Sequence, residues 1–537
     1  MMKKVIKKLL AALLAVAMVC AMAIPAFAGT EGDITTWHSF SAFQIFKGDV
    51  EGNDIKDFKI SNVTWGSNIA DNPAAFLDQL KADSTLGTQF QFIDATDANT
   101  AQKVLEVISK WDDSDANSIA FARFVCHYLY PDANAKPKPA VEGGGGSDHI
   151  HFDEAGYYLV VDTTPFNPGD IDHAYNSFLL MVTHANWNIP ITPKAEKPSV
   201  KKEVFDNFDN QDGTSTGDFG SSADHAINEK FQFKLTATLP ASTDHAYDYY
   251  DTYAVCFKDT LSEGITYDGP DSVVIKSNNN TYDTTIDPSK YTITESQNSF
   301  VVKIPDVKTC AEGLDLNDGA TITVTYTAHL NDKAYVNTGS GSTENKNSVQ
   351  LQYSNNPRPG EYWGTTPKSE VYVFTYQLNN TKRQNTVDGP ALAGAGFKLY
   401  SDAECNNEVG LYQEGEFYYP IKDATGKKAV EMISGENGQF NVKGLDAGTY
   451  YLKEITPPDG YSACKEIPVT IKADHSRNDQ VNLEGSNLTN DIVNIKAGGI
   501  TLPSTGGIGT TLFYVVGGGL MVAAIVLLVT KKRMENK

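Results

Sequence analysis

Across the middle of the chain, apolar residues fall on every second position. Phe231, Phe233, Leu235, Ala237 and Leu239 form one such run, and Ile322, Val324, Tyr326 and Ala328 form another, with polar residues between them. Period two with one apolar face predicts strands that bury one side. No long helical pattern interrupts residues 196–362, which predicts an all-β sandwich there. Residues 363–497 also read as β, cut into short strands by turns at Asp388-Gly389, Gly435 and Asn437-Gly438. Residues 29–195 are mixed. Trp37 to Phe46, Gly156 to Asp162 and Phe178 to Val182 read as strands, and three helical stretches lie between them. Asn72-Pro73 offers a cap and a proline at the first helical position ahead of Phe76, Leu77 and Leu80. Val104, Leu105, Ile108 and Trp111 recur at helical spacing, as do Phe121, Phe124, Val125 and Tyr128 before Pro131. The expected fold class is mainly β: tandem β-sandwich domains, the first with a helical insertion, and a linker from Pro193 to Pro198.

Two apolar runs stand outside this scheme. Leu9 to Ile24 follows Lys3, Lys4, Lys7 and Lys8 and precedes Ala26-Phe27-Ala28, so residues 1–28 read as a secretory signal cut after Ala28. Residues 498–537 hold the second run, Ile508 to Thr530, which meets the roughly 20-residue requirement of a transmembrane helix. Lys531, Lys532 and Arg533, in the tail 531–537, fit a stop on the cytoplasmic side. The formal charge is −23; without the four signal lysines, and without the four basic residues and Glu535 of the tail, it becomes −30. So acidic a surface excludes nucleic acid as a partner. Of the cysteines, Cys20 leaves with the signal. Cys126, Cys256, Cys310, Cys405 and Cys464 show no CxxC spacing, which argues against zinc. Export permits disulfides between Cys256 and Cys310 and between Cys405 and Cys464; five small thiols are an equal reading. His149, His151 and Asp153 are more simply an exposed strand than a metal site. Asp206 to Gly213 fails as a calcium loop because Phe208 stands at a ligand position. No cofactor or metal is expected.

Polar residues at inward positions carry the chemistry. Tyr450, Leu452 and Glu454 share parity, so a strand aims Glu454 into the core. Phe374, Tyr376, Leu378 and Lys382 do the same for Lys382, and Ile492 and Asn494 for Asn494. Burial lowers a lysine pKa and raises a glutamate pKa. A neutral amine beside an asparagine amide and a protonated carboxyl can form an intramolecular amide with loss of ammonia, favoured by proximity in a dry core. The segment Tyr450 to Tyr461, YYLKEITPPDGY, resembles the E-box of pilins and adhesins with collagen-adhesin B-type domains. The resemblance implies a Lys382–Asn494 cross-link catalysed by Glu454, in an immunoglobulin-like or collagen-adhesin-like (prealbumin-like) sandwich. One departure is Asn380, where that family usually has an apolar residue. In residues 196–362, Lys202 shares a face with Val200 and Val204, Asp259 with Val255 and Phe257, and Asn347 with Val349 and Leu351 in what reads as the last strand. The segments Phe257 to Gly264 and Asn347 to Pro357 resemble the middle domain of sortase-assembled major pilins, which implies a Lys202–Asn347 cross-link assisted by Asp259. Neighbouring Lys201 has outward parity.

Leu502-Pro503-Ser504-Thr505-Gly506, followed by the apolar run and the basic tail, resembles a sortase cell-wall sorting signal of Gram-positive bacteria. The resemblance implies cleavage after Thr505 and its transfer to an amine. Trp187 to Lys194, WNIPITPK, is similar to the pilin motif, with Thr192 in place of its tyrosine; this implies Lys194 as the polymerisation lysine. Together these features resemble the backbone subunit of a sortase-assembled pilus. The implied partners are a class C pilin sortase, a housekeeping sortase with a peptidoglycan precursor, identical subunits, minor pilins, and a host or surface ligand. The implied location is the cell wall, and the only implied chemistry is the single-turnover formation of the two cross-links. A monomeric wall-anchored adhesin is the alternative. A wall-anchored enzyme comes third and requires a pocket of clustered carboxylates away from the two trios.

Overall fold

The computed structural model describes residues 39–51, 59–111, 116–132, 134–142, 149–163, 177–182, 187–190, 197–207, 217–243, 245–277, 283–358, 363–477 and 479–497. The signal, Lys194, the sorting pentapeptide and the apolar run 508–530 lie outside these residues. Among the described residues no helix is long and apolar enough to cross a membrane. The architecture is mainly β, in three successive units.

The first unit is an antiparallel sheet with helices on one face. Strands β1 (Phe40–Glu51), β2 (Lys59–Trp65), β3 (Gly156–Asp162) and β4 (Ser177–Val182) lie in the order β2-β1-β3-β4. Helices α1 (Pro73–Ala82), α2 (Thr100–Ile108) and α3 (Ala116–Leu129) follow the predicted periodicity. The Asn72 side chain accepts from the Ala75 N–H at 3.3 Å, satisfying one of the backbone donors that a helix start leaves open. The helices bury Phe76, Leu80, Val104 and Phe121 against Phe43, Phe46 and Leu159.

The second unit is a two-sheet sandwich. One sheet holds β5 (Ser199–Asp206), β7 (Lys230–Leu239), β9 (Ile265–Ser277) and β11 (Ala320–Leu330) in the order β9-β11-β7-β5. The other holds β6 (Ser222–Asp224), β8 (Val255–Leu261), β10 (Ser299–Ile304), β12 (Lys346–Ser354) and β13 (Ser369–Phe374) in the order β6-β13-β12-β8-β10. The alternating residues of the predicted runs meet between the sheets, where Phe233, Leu235, Val324, Phe257 and Val349 are fully buried. Here the structure moves a boundary. The sequence reading ended this domain at residue 362, but Trp363–Thr365 and β13 pair with β12, and β13 also runs parallel to β6. The second sandwich therefore extends to Phe374, and β12, with Asn347, is not its last strand. One neighbour of β13, β6, is distant in sequence, so local pattern carries no sign of that pairing.

The third unit begins after a single residue. Strands β14 (Tyr376–Gln384), β16 (Asn441–Leu445) and β19 (Thr489–Asn494) share one sheet in the order β16-β14-β19, with β14 and β19 parallel. Strands β15 (Gly396–Tyr400), β17 (Gly448–Thr456) and β18 (Ile467–Ile471) form the facing sheet. The second and third units are closely docked. The Ile227 N–H donates to the Gly444 carbonyl at 2.9 Å, and Gly444, at φ +83°, has no room for a side chain because a Cβ there would overlap Ile227. His475 of the third unit lies 3.3 Å from Asp206 and 3.9 Å from Asp224 of the second. Burial alone would lower the His475 pKa, but the hydrogen bond to Asp206 and the charges of both aspartates hold it above its ordinary value.

The placement of β13 predicts that a fragment of residues 197–375 melts cooperatively, whereas residues 197–358 melt at clearly lower temperature or aggregate. The shorter piece loses Val371 and Val373, both fully buried, and opens two strand edges. Equal melting of the two fragments by circular dichroism would refute the placement.

Candidate functional site

Two buried polar clusters occupy the cores of the second and third units, and each contains one of the predicted trios. In the third unit, β14 and β19 run side by side with Lys382 opposite Ile492 and Gln384 opposite Asn494. Alternation along both strands turns Lys382 and Asn494 inward, and both are almost wholly buried. Lys382 Nζ donates to Asn494 Oδ1 at 2.5 Å. Glu454 reaches across from β17 in the facing sheet. Its Oε1 accepts from Asn494 Nδ2 at 2.7 Å and lies 3.4 Å from Lys382 Nζ. Its Oε2 accepts from the Cys464 N–H at 2.7 Å. The amine also lies over the Phe397 ring, 5.0 Å from its centroid. Burial lowers the Lys382 pKa against the opposing pull of Cys464 and Glu454. Asn380, the departure noted in the sequence, is fully buried and satisfied: its amide donates to the Phe440 carbonyl and accepts from Asn490.

In the second unit the trio spans the two sheets. Lys202 comes from β5 in one sheet, and Asp259 and Asn347 come from β8 and β12 in the other; all three are buried. Lys202 Nζ hydrogen-bonds to Asp259 Oδ2. Burial depresses the Lys202 pKa to about 8 despite that contact, and burial raises the Asp259 pKa. Both shifts favour the neutral pair. Lys201 points outward and pairs with Glu203 at 2.7 Å. Among the residues of the first unit whose side chains are described no lysine is buried, and no third cluster of this kind occurs among them.

Sequence reasoning missed two members. Tyr326 Oη stands at the centre of the second cluster, 2.8 Å from Lys202 Nζ, 3.1 Å from Asp259 Oδ1 and 2.6 Å from Asn347 Nδ2. Its inward parity was legible, but a tyrosine in an apolar run reads as core. For Cys464 the sequence left a disulfide with Cys405 and a free thiol as equal readings. Its thiol lies against Lys382 and Glu454, where burial pushes its pKa up to about 11. Of the two readings, the structure has the free thiols: neither possible disulfide is present among the five described cysteines. Cys405 sits in an exposed turn at φ +54°, while Cys464 faces the lysine cluster. Cys256 alternates with Val255 and Phe257 and so faces away from the core in which Cys310 is packed.

Comparison with known proteins fits this architecture. Residues 378–486 match the SpaA prealbumin-like fold domain, and residues 494–536 match the LPXTG cell wall anchor motif. The chain thus carries a prealbumin-like domain, with Lys382 and Glu454 inside it, and a cell-wall anchor. It is similar to the trypsin-resistant surface T6 protein of Streptococcus pyogenes serotype M6, 24% identical over 290 residues, which are 50% of this chain and 44% of that protein. The match thus spans less than half of the relative's length. Among solved structures, the T6 backbone pilin of serotype M6 Streptococcus pyogenes is 16% identical, with 87% of this chain and 100% of that one covered at a TM-score of 0.47. The full-length major pilin SpaD of Corynebacterium diphtheriae is 21% identical, with 69% and 88% covered at a TM-score of 0.41.

The Lys202 environment makes a pH prediction. Its folded pKa of about 8 lies below the ordinary 10.5, so between those values the unfolded chain binds the extra proton and stability rises with pH. In an Asn347→Ala background, which prevents amide formation, urea denaturation should show stability climbing from about pH 8 to pH 10 relative to Lys202→Met/Asn347→Ala. A flat difference would mean that Lys202 is not desolvated.

Proposed function

We propose that the chain is the backbone subunit of a sortase-polymerised surface pilus, joined head to tail through Thr505 and anchored in the same way to the cell wall. The observation that carries this reading is the combination of two buried Lys/Asn/acid clusters in tandem sandwiches with a cell-wall anchor motif behind them. A subunit that bears tension gains from covalent ties between strands, because single hydrogen bonds contribute only about 1 kcal/mol each net.

In each cluster the neutral lysine amine attacks the asparagine carboxamide carbon. The acid, which in the Glu454 cluster hydrogen-bonds the amide directly, supplies the proton for the leaving nitrogen, ammonia departs, and a secondary amide remains. Glu454 performs this for Lys382 and Asn494, and Asp259 for Lys202 and Asn347. The reaction runs once per site. A pilin sortase then takes Thr505 as a thioester and passes it to the Lys194 amine of the next subunit. Pro193 suits that role, since its ring fixes the backbone angle next to Lys194.

Two measurements test the reading. The ectodomain, residues 29–505, should weigh less than its sequence by two ammonias; Glu454→Ala should restore one and Asp259→Ala the other. An unmodified mass in folded wild type would refute both cross-links. Lys194→Arg should abolish the high-mass ladder in a boiled cell-wall extract while leaving secretion and both internal amides intact, since guanidinium stays protonated and does not attack. A ladder that survives Lys194→Arg but is lost in Lys197→Arg or Lys201→Arg moves the polymerisation site. A wild type that yields only monomer replaces the pilus with a monomeric adhesin.

A further inference from the structure

The two clusters contain different acids, and the difference in reach has consequences. Glu454 touches both the amine and the leaving nitrogen of its cluster, at 3.4 Å from Lys382 Nζ and 2.7 Å from Asn494 Nδ2. Asp259 is one methylene shorter. Among the described residues, its side-chain hydrogen bonds go to Lys202 and Tyr326, and those of Asn347 go to Tyr326 alone. The phenol of Tyr326 is therefore the one hydrogen-bonded link between the acid and the amide. It is fully buried, between the Phe233 and Phe300 rings, with centroids 5.2 and 4.8 Å away. Burial and the Asp259 charge hold its pKa well above 10, so it keeps its proton.

We infer that Tyr326 is a catalytic residue of the second cross-link, relaying a proton from Asp259 to the leaving nitrogen of Asn347. This rests on the cross-linking reading above. Lys202 first gives a proton to Asp259, leaving a neutral amine and a neutral acid. Nζ then bonds to Asn347 Cγ. The Asp259 proton passes to Tyr326 Oη as the phenol proton passes to Nδ2. The Cγ–Nδ2 bond breaks and ammonia leaves. Asp259 recovers a proton from Nζ, so the phenol ends as it began, the acid is left holding one proton of the original ammonium, and the product is a secondary amide. Aspartate plus tyrosine in the second unit thus spans the distance that glutamate alone spans in the third.

The test follows the ectodomain after cell-free synthesis and quantifies, at intervals, the peptide that joins Lys202 to Asn347. Tyr326→Phe, which keeps the ring, should slow its appearance by about 100-fold, the usual scale of a lost proton-transfer group. The Lys382–Asn494 peptide should form at its normal rate. Adding Asp259→Glu to Tyr326→Phe should recover most of the rate, because the longer acid reaches Nδ2 directly. A merely structural role for the phenol predicts no such rescue. Wild-type rate in Tyr326→Phe, or a slow variant that Asp259→Glu does not rescue, overturns the relay. Absence of the joined peptide from wild type instead overturns the cross-link itself. Should Tyr326→Phe not fold, 3-fluorotyrosine placed at 326 keeps the shape and acidifies the phenol; the relay requires a changed rate, and an unchanged rate overturns it.

Discussion

An ammonium ion between two β-sheets has no water around it, and that cost shapes both clusters. The alternation that fills each core with Phe, Val and Leu also carries a lysine inward. Once there, its charge must be neutralised by a partner or given up. In each unit the nearest group able to accept the proton is a carboxyl on the facing sheet, itself destabilised as an anion by burial at Asp259. In the second unit burial moves both groups toward the neutral pair, in which a nucleophile lies beside an amide.

The two units assemble their clusters by different geometry. In the third, lysine and asparagine sit on neighbouring parallel strands of one sheet and the acid comes from the other. In the second, lysine and asparagine lie on opposite sheets. A bond in the first arrangement ties two strands edge to edge. A bond in the second pins the sandwich through its thickness. The docked seam between the units, with Gly444 against Ile227 and His475 beside Asp206 and Asp224, sets the two side by side.

Much of this was legible in the sequence because period-two alternation reports directly on facing. Lys202, Asp259, Asn347, Lys382, Glu454 and Asn494 all lie on the face that parity assigned to them, and Lys201 lies on the other. The helical insertion was equally clear, since Asn72-Pro73 and Pro131 mark helix ends by local chemistry. What failed depended on distant partners. Tyr326 looks apolar in a run until the groups around its hydroxyl are known. Cys405 and Cys464 have a plausible separation along the chain, but only the tertiary structure turns one to solvent and the other to a lysine. The stretch from Trp363 to Phe374 looked like the start of a new domain because β6, which β13 joins in parallel, comes far earlier in the chain and lies beside it only in three dimensions.

The position of β13 has a mechanical consequence. A Lys202–Asn347 bond closes a covalent loop that ends at Asn347, whereas the chain continues through β12 and β13 into β14 and enters the next loop only at Lys382. With both bonds formed, residues 348–381 are the uncross-linked stretch between two covalently closed loops, and its described residues are held by non-covalent contacts. Extended, they would span on the order of 100 Å. A fibre of such subunits would pair an inextensible covalent path with a stored length at each unit boundary, released when β13 shears from β6 and β12 and taken up again when the load falls.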